Sequence, residues 1–265
     1  TSFFARARRI PFRIAVLSPA ARSLYFCHRR TAKEDIYFLN NHSDHDVTDC
    51  FRFHTAATSA ELWNPVTGEK TPLDITAEAG STATNLTLHA RESYFIVLGN
   101  EAVQQKADAN NYPLSIINYP LSAPWQVQFD TAMGGPVEAV AFPTLSDWTQ
   151  HSDPRIKYFS GTATYQNTFT LKKKNKQSTY RLNLPLQNSA VEVIVNGQSA
   201  GIVWCSPWDI DITRLLKKGK NQMELRVANT LWNRLVGDAQ LPEPERITWQ
   251  TTPLAKTTDT LVPFG

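Results

Sequence analysis

The strongest polar cluster of the sequence lies in NTLWNRLVGD, residues 229–238. Arginine presents a planar fork of donors that can bond to vicinal hydroxyls or to a carboxylate. A tryptophan ring offers an apolar face together with one polar handle. Trp232, Asn233, Arg234 and Asp238 are therefore candidate carbohydrate-binding residues. The alternative is that Arg234 and Asp238 form an ion pair that fixes the C-terminal tail.

Two further tryptophans, Trp204 and Trp208, could add to a stacking platform with Trp232. We expect core packing for Trp204 and Trp208, because Trp208 directly precedes DIDIT, where a jelly roll buries an apolar residue. Both interpretations stay open for Trp232, which lies at the predicted end of a strand, where loops often have functional roles.

The paired carboxylates Asp209 and Asp211 invite an acid/base hypothesis, since residues two apart on a strand point the same way. However, Asp211 precedes Ile212 as a helix-capping residue would, and no partner base is near in the sequence. We assign no catalytic residue. Glu243 and Glu245 are expected to be solvated.

The stretch NNHSDHD holds His42, Asp44, His45 and Asp46, which could bind a metal ion. A polar turn between strands is the favoured interpretation, and no metal ligand is assigned.

The three cysteines, Cys27, Cys50 and Cys205, are too widely spaced for a short metal or redox motif. Cys27 and Cys50 could pair if their strands are neighbours. Buried, inert thiols are the favoured alternative, because a free cysteine packs as a small hydrophobe.

Period-two alternation of apolar and polar residues dominates the chain and predicts antiparallel strands that bury one face. The predicted strands are DIYFLNN, CFRFH, NLTLH, SYFIVLG, WQVQF, ATYQNTFTL, YRLNL, VEVIV, AGIVW and MELRV. Asn196-Gly197 predicts a tight hairpin, as does WNPVTGEK, and Asp211 to Gly219 predicts one helical turn. So many short strands predict an all-β chain of two β-sandwich domains, the second a jelly roll.

The domain limits follow from composition. We predict an atypical segment at 1–22, a β-sandwich at 23–100, a connection at 101–123 and a jelly roll with its tail at 124–265. The first segment is rich in arginine, with no acidic residue before Glu34. It is either a targeting segment or arm for an anionic surface, or a non-native or truncated start.

The bulk composition argues against two kinds of partner. The 265 residues have a formal net charge of +3, too mild for a nucleic-acid partner. No stretch reaches the ~18 apolar residues of a membrane span. A (β/α)8 barrel of about 250 residues would also not fit beside these strands.

The sequence resembles a known family. Residues 161–230 are similar to the galactose-binding-like jelly roll found in many glycoside hydrolases, through GTATYQNTF, VIVNGQSAGIVW, PWDIDIT and KKGKNQMELRVANT. NTLWNRLVGDAQLPEPERITW resembles the C-terminal end of bacterial α-L-rhamnosidases of glycoside hydrolase family 106. HRRTAKEDIYFLNN, ELWNPVTGEKTPL and ARESYFIVLG extend the resemblance from about Ser23 to Gly265.

The resemblance implies an accessory, non-catalytic C-terminal part of an exported polysaccharide-degrading enzyme, whose catalytic barrel precedes it and is absent from this sequence. Its implied partners are that barrel and a carbohydrate, such as a rhamnose-containing pectic glycan, and a calcium ion is a possible cofactor. The alternatives are a structural brace without ligand affinity and a module that completes an active site on another chain.

Overall fold

The chain divides into two compact units, residues 1–115 and 116–265, and the division lies inside the predicted connection. The predicted segment 1–22 lies outside the described residues except for 14–16, and so does most of the connection. The limits of the four predicted segments stay predictions. The computed structural model describes residues 14–16, 23–101, 120–121, 124–184, 188–206, 208–250, 252 and 254–264.

The first unit contains two antiparallel sheets, with strand orders β1-β4-β8-β7 and β2-β3-β9-β5-β6. The strands are β1 Ile14–Val16, β2 Leu24–Arg30, β3 Asp35–Asn41, β4 Val47–Phe53, β5 Ser59–Trp63, β6 Lys70–Pro72, β7 Thr76–Glu78, β8 Ser81–Leu88 and β9 Ser93–Gly99.

The alternation seen in the sequence builds the core of this unit. Every second residue of β3 is buried, and Tyr37 and Leu39 pack with Phe51 and Phe53 of β4 and Ile96 of β9. Burial of one face of each sheet accounts for a β-sandwich.

The second unit contains a six-stranded antiparallel sheet, order β11-β10-β12-β17-β14-β15, and a two-stranded sheet, β13-β16. Its elements are β10 Trp125–Phe129, β11 Val140–Phe142, α1 Pro154–Lys157, β12 Thr162–Leu171, β13 Arg181–Asn183, β14 Ala190–Val195, β15 Gln198–Val203, β16 Asp209–Asp211, β17 Gly219–Ala228 and α2 Trp232–Asp238. Short 3-10 helices lie at Thr131–Met133, Trp148–Gln150 and Glu243–Glu245.

The inward face of the six-stranded sheet forms the core of the second unit. Val127, Tyr165, Val193 and Leu225 lie on neighbouring strands and are at most 5% exposed. Trp148 covers them and donates a hydrogen bond to the hydroxyl of Tyr165. The all-β, β-sandwich prediction is confirmed, whereas the jelly-roll and galactose-binding-like assignments stay predictions.

The hairpin predicted at Asn196-Gly197 joins β14 to β15, and both residues have positive φ, 52° and 79°. The Asn196 side chain also donates to the carbonyl of Leu215 at 2.8 Å. The predicted helical turn after Asp211 is a hydrogen-bonded turn instead of a helix, and Asp211 accepts from the backbone N–H of Thr213.

The cysteine prediction was wrong in one respect. None of the three thiols forms a disulfide, but the expectation that they are buried was wrong, because Cys27 is exposed and Cys50 and Cys205 are half-buried. Cys27 lies on β2 and Cys50 on β4, which belong to different sheets, so a bond between them would not join neighbouring strands.

Candidate functional site

The predicted carbohydrate-binding residues lie on α2, where the sequence had indicated the end of a strand. The helix has no side-chain cap at its N-terminus. Asn233, Arg234 and Asp238 are 1%, 5% and 1% exposed, and Trp232 is half-buried. We call these four residues the tail-anchoring cluster, because each of them contacts the chain that follows the helix or the loops beneath it.

Two members of the cluster bind the last residues of the chain. The Asn233 amide donates to the carbonyl of Val262 at 2.8 Å and accepts from the Val262 N–H at 2.8 Å. The Trp232 indole N–H donates to the carbonyl of Thr260 at 2.9 Å. These bonds occupy the polar atoms that a sugar hydroxyl would need.

The other two members form a buried charge pair. Asp238 Oδ2 accepts from the N–H and the hydroxyl of Thr248, at 2.7 and 2.6 Å. Asp238 Oδ1 lies 3.7 Å from Arg234 Nη1, which is too long for a hydrogen bond. Arg234 Nη2 reaches the carbonyl of Met133 at 3.5 Å.

This charge pair is only partly satisfied. Arg234 Nε and Asp238 Oδ1 have no hydrogen-bond partner among the described residues. Burial lowers the pKa of the Arg234 guanidinium, and the neighbouring Asp238 carboxylate opposes that shift. Arginine nevertheless stays protonated, so the positive charge of Arg234 lies buried beside the Asp238 carboxylate beneath the tail.

Close packing around the cluster leaves little room for a ligand. A Cβ on Gly237 would lie 2.7 Å from Cβ of Tyr158, and one on Gly134 would lie 2.2 Å from Cδ1 of Ile247. The structure thus contains the ion pair that was the alternative interpretation of these residues. Sugar binding by Trp232, Asn233, Arg234 and Asp238 stays a prediction.

The other two candidate tryptophans, Trp204 and Trp208, differ in their burial. Trp208 packs partly against the core of the second unit. Trp204 is 57% exposed, so the expectation that it belongs to the core was wrong. It follows β15 and shares the outward side of that strand with Ile202, which is 61% exposed.

The paired carboxylates of β16 have structural partners. Asp209 forms an ion pair with Arg181. Burial raises the pKa of Asp211, but the hydrogen bonds from Thr213 outweigh it and hold that pKa below its ordinary value. Such an anion is a poor general acid. Glu243 and Glu245 are exposed, as expected.

The histidine-rich stretch forms a turn whose acidic residues pair with a neighbouring turn. Asp44 lies 2.8 Å from Arg91, and Asp46 lies 2.9 Å from His89. Over the described part of the chain, no group of three or more histidine, cysteine or acidic residues is placed to hold a metal ion. Asp44 and Asp46 are engaged by Arg91 and His89, and the calcium ion that the resemblance implies stays a prediction.

The second unit has a depression that residue types alone did not single out. It lies on the outward face of the six-stranded sheet and has a volume of about 550 Å³. We call it the outer-face groove. Its lining residues are Pro124, Gln126, Gln166, Asn167, Thr168, Ile194, Gly197, Gln222, Met223 and Glu224.

Cross-strand pairing aligns the side chains of the groove. Gln126 of β10 lies opposite Gln166 of β12. Glu224 of β17 lies opposite Gln166 on one side and opposite Ile194 of β14 on the other. Gln166 donates to Glu224 at 3.3 Å, and Arg226 donates to Glu224 at 2.9 Å. The signal in the sequence was the polar half of each alternating strand, which is also what any solvated sheet face shows.

No helix among the residues described is long and apolar enough to cross a membrane.

Both the sequence and the fold of this chain are similar to those of known proteins. Residues 7–77 match the model of glycoside hydrolase family 106, described as α-L-rhamnosidase. A rhamnosidase structure from Novosphingobium sp. PP1Y is 31% identical, with a TM-score of 0.77 over 95% of this chain and 24% of that chain. A Formosa agariphila protein named "Putative beta-glucuronidase" is 40% identical over 124 residues, 46% of this chain and 11% of its own length.

The predicted resemblance to the family 106 α-L-rhamnosidases is confirmed, and the chain is related to glycoside hydrolases. The family match begins at residue 7, so the expectation that the resemblance starts only at about Ser23 was wrong. The chain spans about a quarter of the rhamnosidase and about a ninth of the curated relative.

Proposed function

We propose that this chain is an accessory, non-catalytic C-terminal part of a glycoside hydrolase of the α-L-rhamnosidase type that acts on a plant polysaccharide. The observation that carries the proposal is the unequal coverage of the rhamnosidase match: 95% of this chain aligns with 24% of the other. A catalytic barrel on the remaining part of such an enzyme would be the partner of this module.

The chemistry of the described carboxylates supports a non-catalytic role. Glycoside hydrolysis ordinarily needs two carboxyl groups on either side of the scissile bond. The outer-face groove is lined by one carboxylate, Glu224, which Arg226 holds. Asp209 is tied to Arg181, and Asp211 caps a turn.

The role of a structural brace without ligand affinity is the second candidate, and the tail-anchoring cluster favours it. A module that must present a fixed surface to a neighbouring domain benefits from a tail that is bonded down at Thr248, Thr260 and Val262. Asn233 bonds to Val262 and Asp238 bonds to Thr248, while Arg234 lies beside Asp238 and reaches the carbonyl of Met133.

A domain exchange tests the proposal. The matched quarter of the Novosphingobium rhamnosidase is replaced by this chain, and hydrolysis of a chromogenic α-L-rhamnoside is followed. We expect a soluble, active chimera, no turnover by this chain alone, and an unchanged kcat/KM after Asp209→Asn or Asp211→Asn. Turnover by the chain alone that either substitution abolishes would overturn the proposal.

The same chimera distinguishes a module that completes an active site on another chain from a structural brace. If the module completes an active site on another chain, the carboxylate substitutions lower kcat in the chimera while leaving its thermal stability unchanged. If it braces the enzyme, substitutions that loosen the tail lower the stability of the chimera and leave kcat/KM intact below the melting temperature.

A further inference from the structure

The outer-face groove has the dimensions of a site for an extended ligand. It crosses four neighbouring strands, β10, β12, β17 and β14. Strands lie about 4.8 Å apart, so three spacings span about 14 Å. That length accommodates an oligosaccharide segment instead of a single sugar. The volume of about 550 Å³ also falls within the ordinary range of ligand sites.

The lining of the groove matches hydroxyl groups in its hydrogen-bonding capacity. Gln126, Gln166 and Gln222 are exposed, and each side-chain amide has two donors and one acceptor oxygen. Thr168 lies opposite Gln222 and adds a hydroxyl. A sugar hydroxyl both donates and accepts, so a row of amides can bind it in either sense.

Existing contacts restrain the centre of this row. Gln166 and Arg226 both donate to Glu224, and Arg226 also lies 3.3 Å from Glu192. A restrained side chain loses less conformational entropy on binding than a free one. One guanidinium is shared by two carboxylates, Glu224 and Glu192, so this part of the groove keeps a net negative charge and favours a ligand without acidic groups.

Apolar groups flank the amides. Ile194 lies at the β14 end of the row, and Pro124 precedes β10 at the other end. Both can pack against the CH faces of sugar rings, which is the part of a carbohydrate that gains from leaving water.

Other ligand classes fit this lining less well. Nucleic acids and phosphates need lysine or arginine at the contact surface, and the groove residues include neither. A protein interface needs a core of aromatic or large apolar side chains, whereas Ile194 is the large apolar side chain this lining exposes, because Met223 is 2% exposed and belongs to the core.

We propose that the outer-face groove binds an uncharged oligosaccharide, with Gln126, Gln166 and Glu224 contacting its hydroxyls. This inference rests on the proposed function, because it names the polysaccharide contact of the accessory module. It places that contact on the sheet face and not on the tail-anchoring cluster.

The test is a titration of the full 265-residue chain followed by ¹H–¹⁵N correlation spectra. The probes are a neutral rhamnose-containing oligosaccharide, a cello-oligosaccharide and an oligogalacturonide, the last of which is anionic. We expect saturable shifts of the side-chain NH₂ signals of Gln126, Gln166 and Gln222 with a neutral probe. The anionic probe should bind more weakly, because Glu224 repels it.

Variants make the site assignment specific. Gln166→Ala should weaken binding about tenfold, since it removes a ligand contact and one of the restraints on Glu224. Gln126→Ala tests the neighbouring strand independently. Gln177→Ala is the matched control, an exposed glutamine outside the groove, and should bind like the unaltered chain. Melting temperatures confirm that each variant is folded.

Two results would overturn the inference: no shift with any neutral probe up to its solubility limit, or shifts centred on Trp232 and Arg234. The domain exchange distinguishes a failure of groove binding from a failure of the proposed accessory function. An active chimera with a flat titration rejects only the groove. An inactive, unfolded chimera with intact binding rejects only the accessory role.

Discussion

Removing the carboxylate of Asp238 should destabilise the second unit far more than an ordinary surface change. Asp238→Ala deletes the acceptor of both Thr248 bonds, at 2.7 and 2.6 Å. It also leaves the guanidinium of Arg234, which is 5% exposed, without its counter-charge. Removing one partner of a buried ion pair costs about 3–5 kcal/mol.

This cost can be expressed as a melting temperature. The second unit has 150 residues, 116–265. For that size, 1 kcal/mol shifts the melting temperature by about 2–4 °C. We therefore expect a fall of about 10 °C in the melting temperature of the second unit.

Tryptophan fluorescence can follow the second unit nearly alone. Of the seven tryptophans, only Trp63 belongs to residues 1–115, and the other six belong to the second unit. Glu245→Ala is the control, an exposed residue on the same tail, and should change stability by less than about 0.5 kcal/mol.

A second substitution distinguishes an unpaired charge from lost packing. Arg234→Met in the Asp238→Ala background removes the stranded cation while keeping the length of the side chain. We expect it to recover at least about 1 kcal/mol. If Asp238→Ala costs less than about 1 kcal/mol, or if the double variant is no more stable, the tail-anchoring function of this pair is refuted.

Two further predictions concern packing and pH. Gly237→Ala should cost about 1–3 kcal/mol in the second unit, because the new Cβ would lie 2.7 Å from Tyr158; an unchanged denaturant midpoint would contradict this. Burial raises the pKa of Asp35, but the bonds from Arg30 and His28 outweigh it and lower that pKa below 3.8. Its contribution to stability is therefore full above that value and is lost as the pH falls through the folded-state pKa. Asp35→Asn should flatten the acid limb of a stability-against-pH curve, and an unaltered limb would refute the assignment.

Much of the fold could be predicted because its strands bury one face only. The alternation in DIYFLNN, WQVQF and VEVIV corresponds to β3, β10 and β14, with apolar residues inside and polar residues outside. The hairpin turn could also be predicted from local sequence, because Asn196 and Gly197 are residue types that tolerate the positive φ it requires.

The errors arose where long-range contacts decide the local structure. The stretch that forms α2 has no capping side chain and includes Gly237, so its local sequence does not favour a helix. Its conformation instead depends on burial against Tyr158 and on bonds to residues near Val262. Trp204 was misjudged for a related reason, since its exposure depends on which side of β15 it occupies.

Long-range contacts also explain why residue type alone directed the ligand-site prediction to the tail-anchoring cluster. Arginine, aspartate, asparagine and tryptophan are the residues that bind sugars well when they are accessible. Here three of the four are at least 95% buried, and a buried polar group must bond to its own protein or pay the cost of desolvation. Asn233 meets that requirement through Val262, whereas Asp238 and Arg234 meet it in part, through Thr248 and Met133 and through their mutual charge.

The accessible candidate site, the outer-face groove, consists instead of residues that give no sign of ligand binding when each strand is considered alone. Gln126, Gln166 and Glu224 are separated by 40 and 58 positions in the sequence, and only the strand order β10-β12-β17 makes them neighbours. A single polar residue on a solvated strand indicates nothing about binding. A row of them in register, with the central carboxylate held by Arg226, is an arrangement that solvation alone does not require, and this is why binding at the groove is the prediction most worth testing.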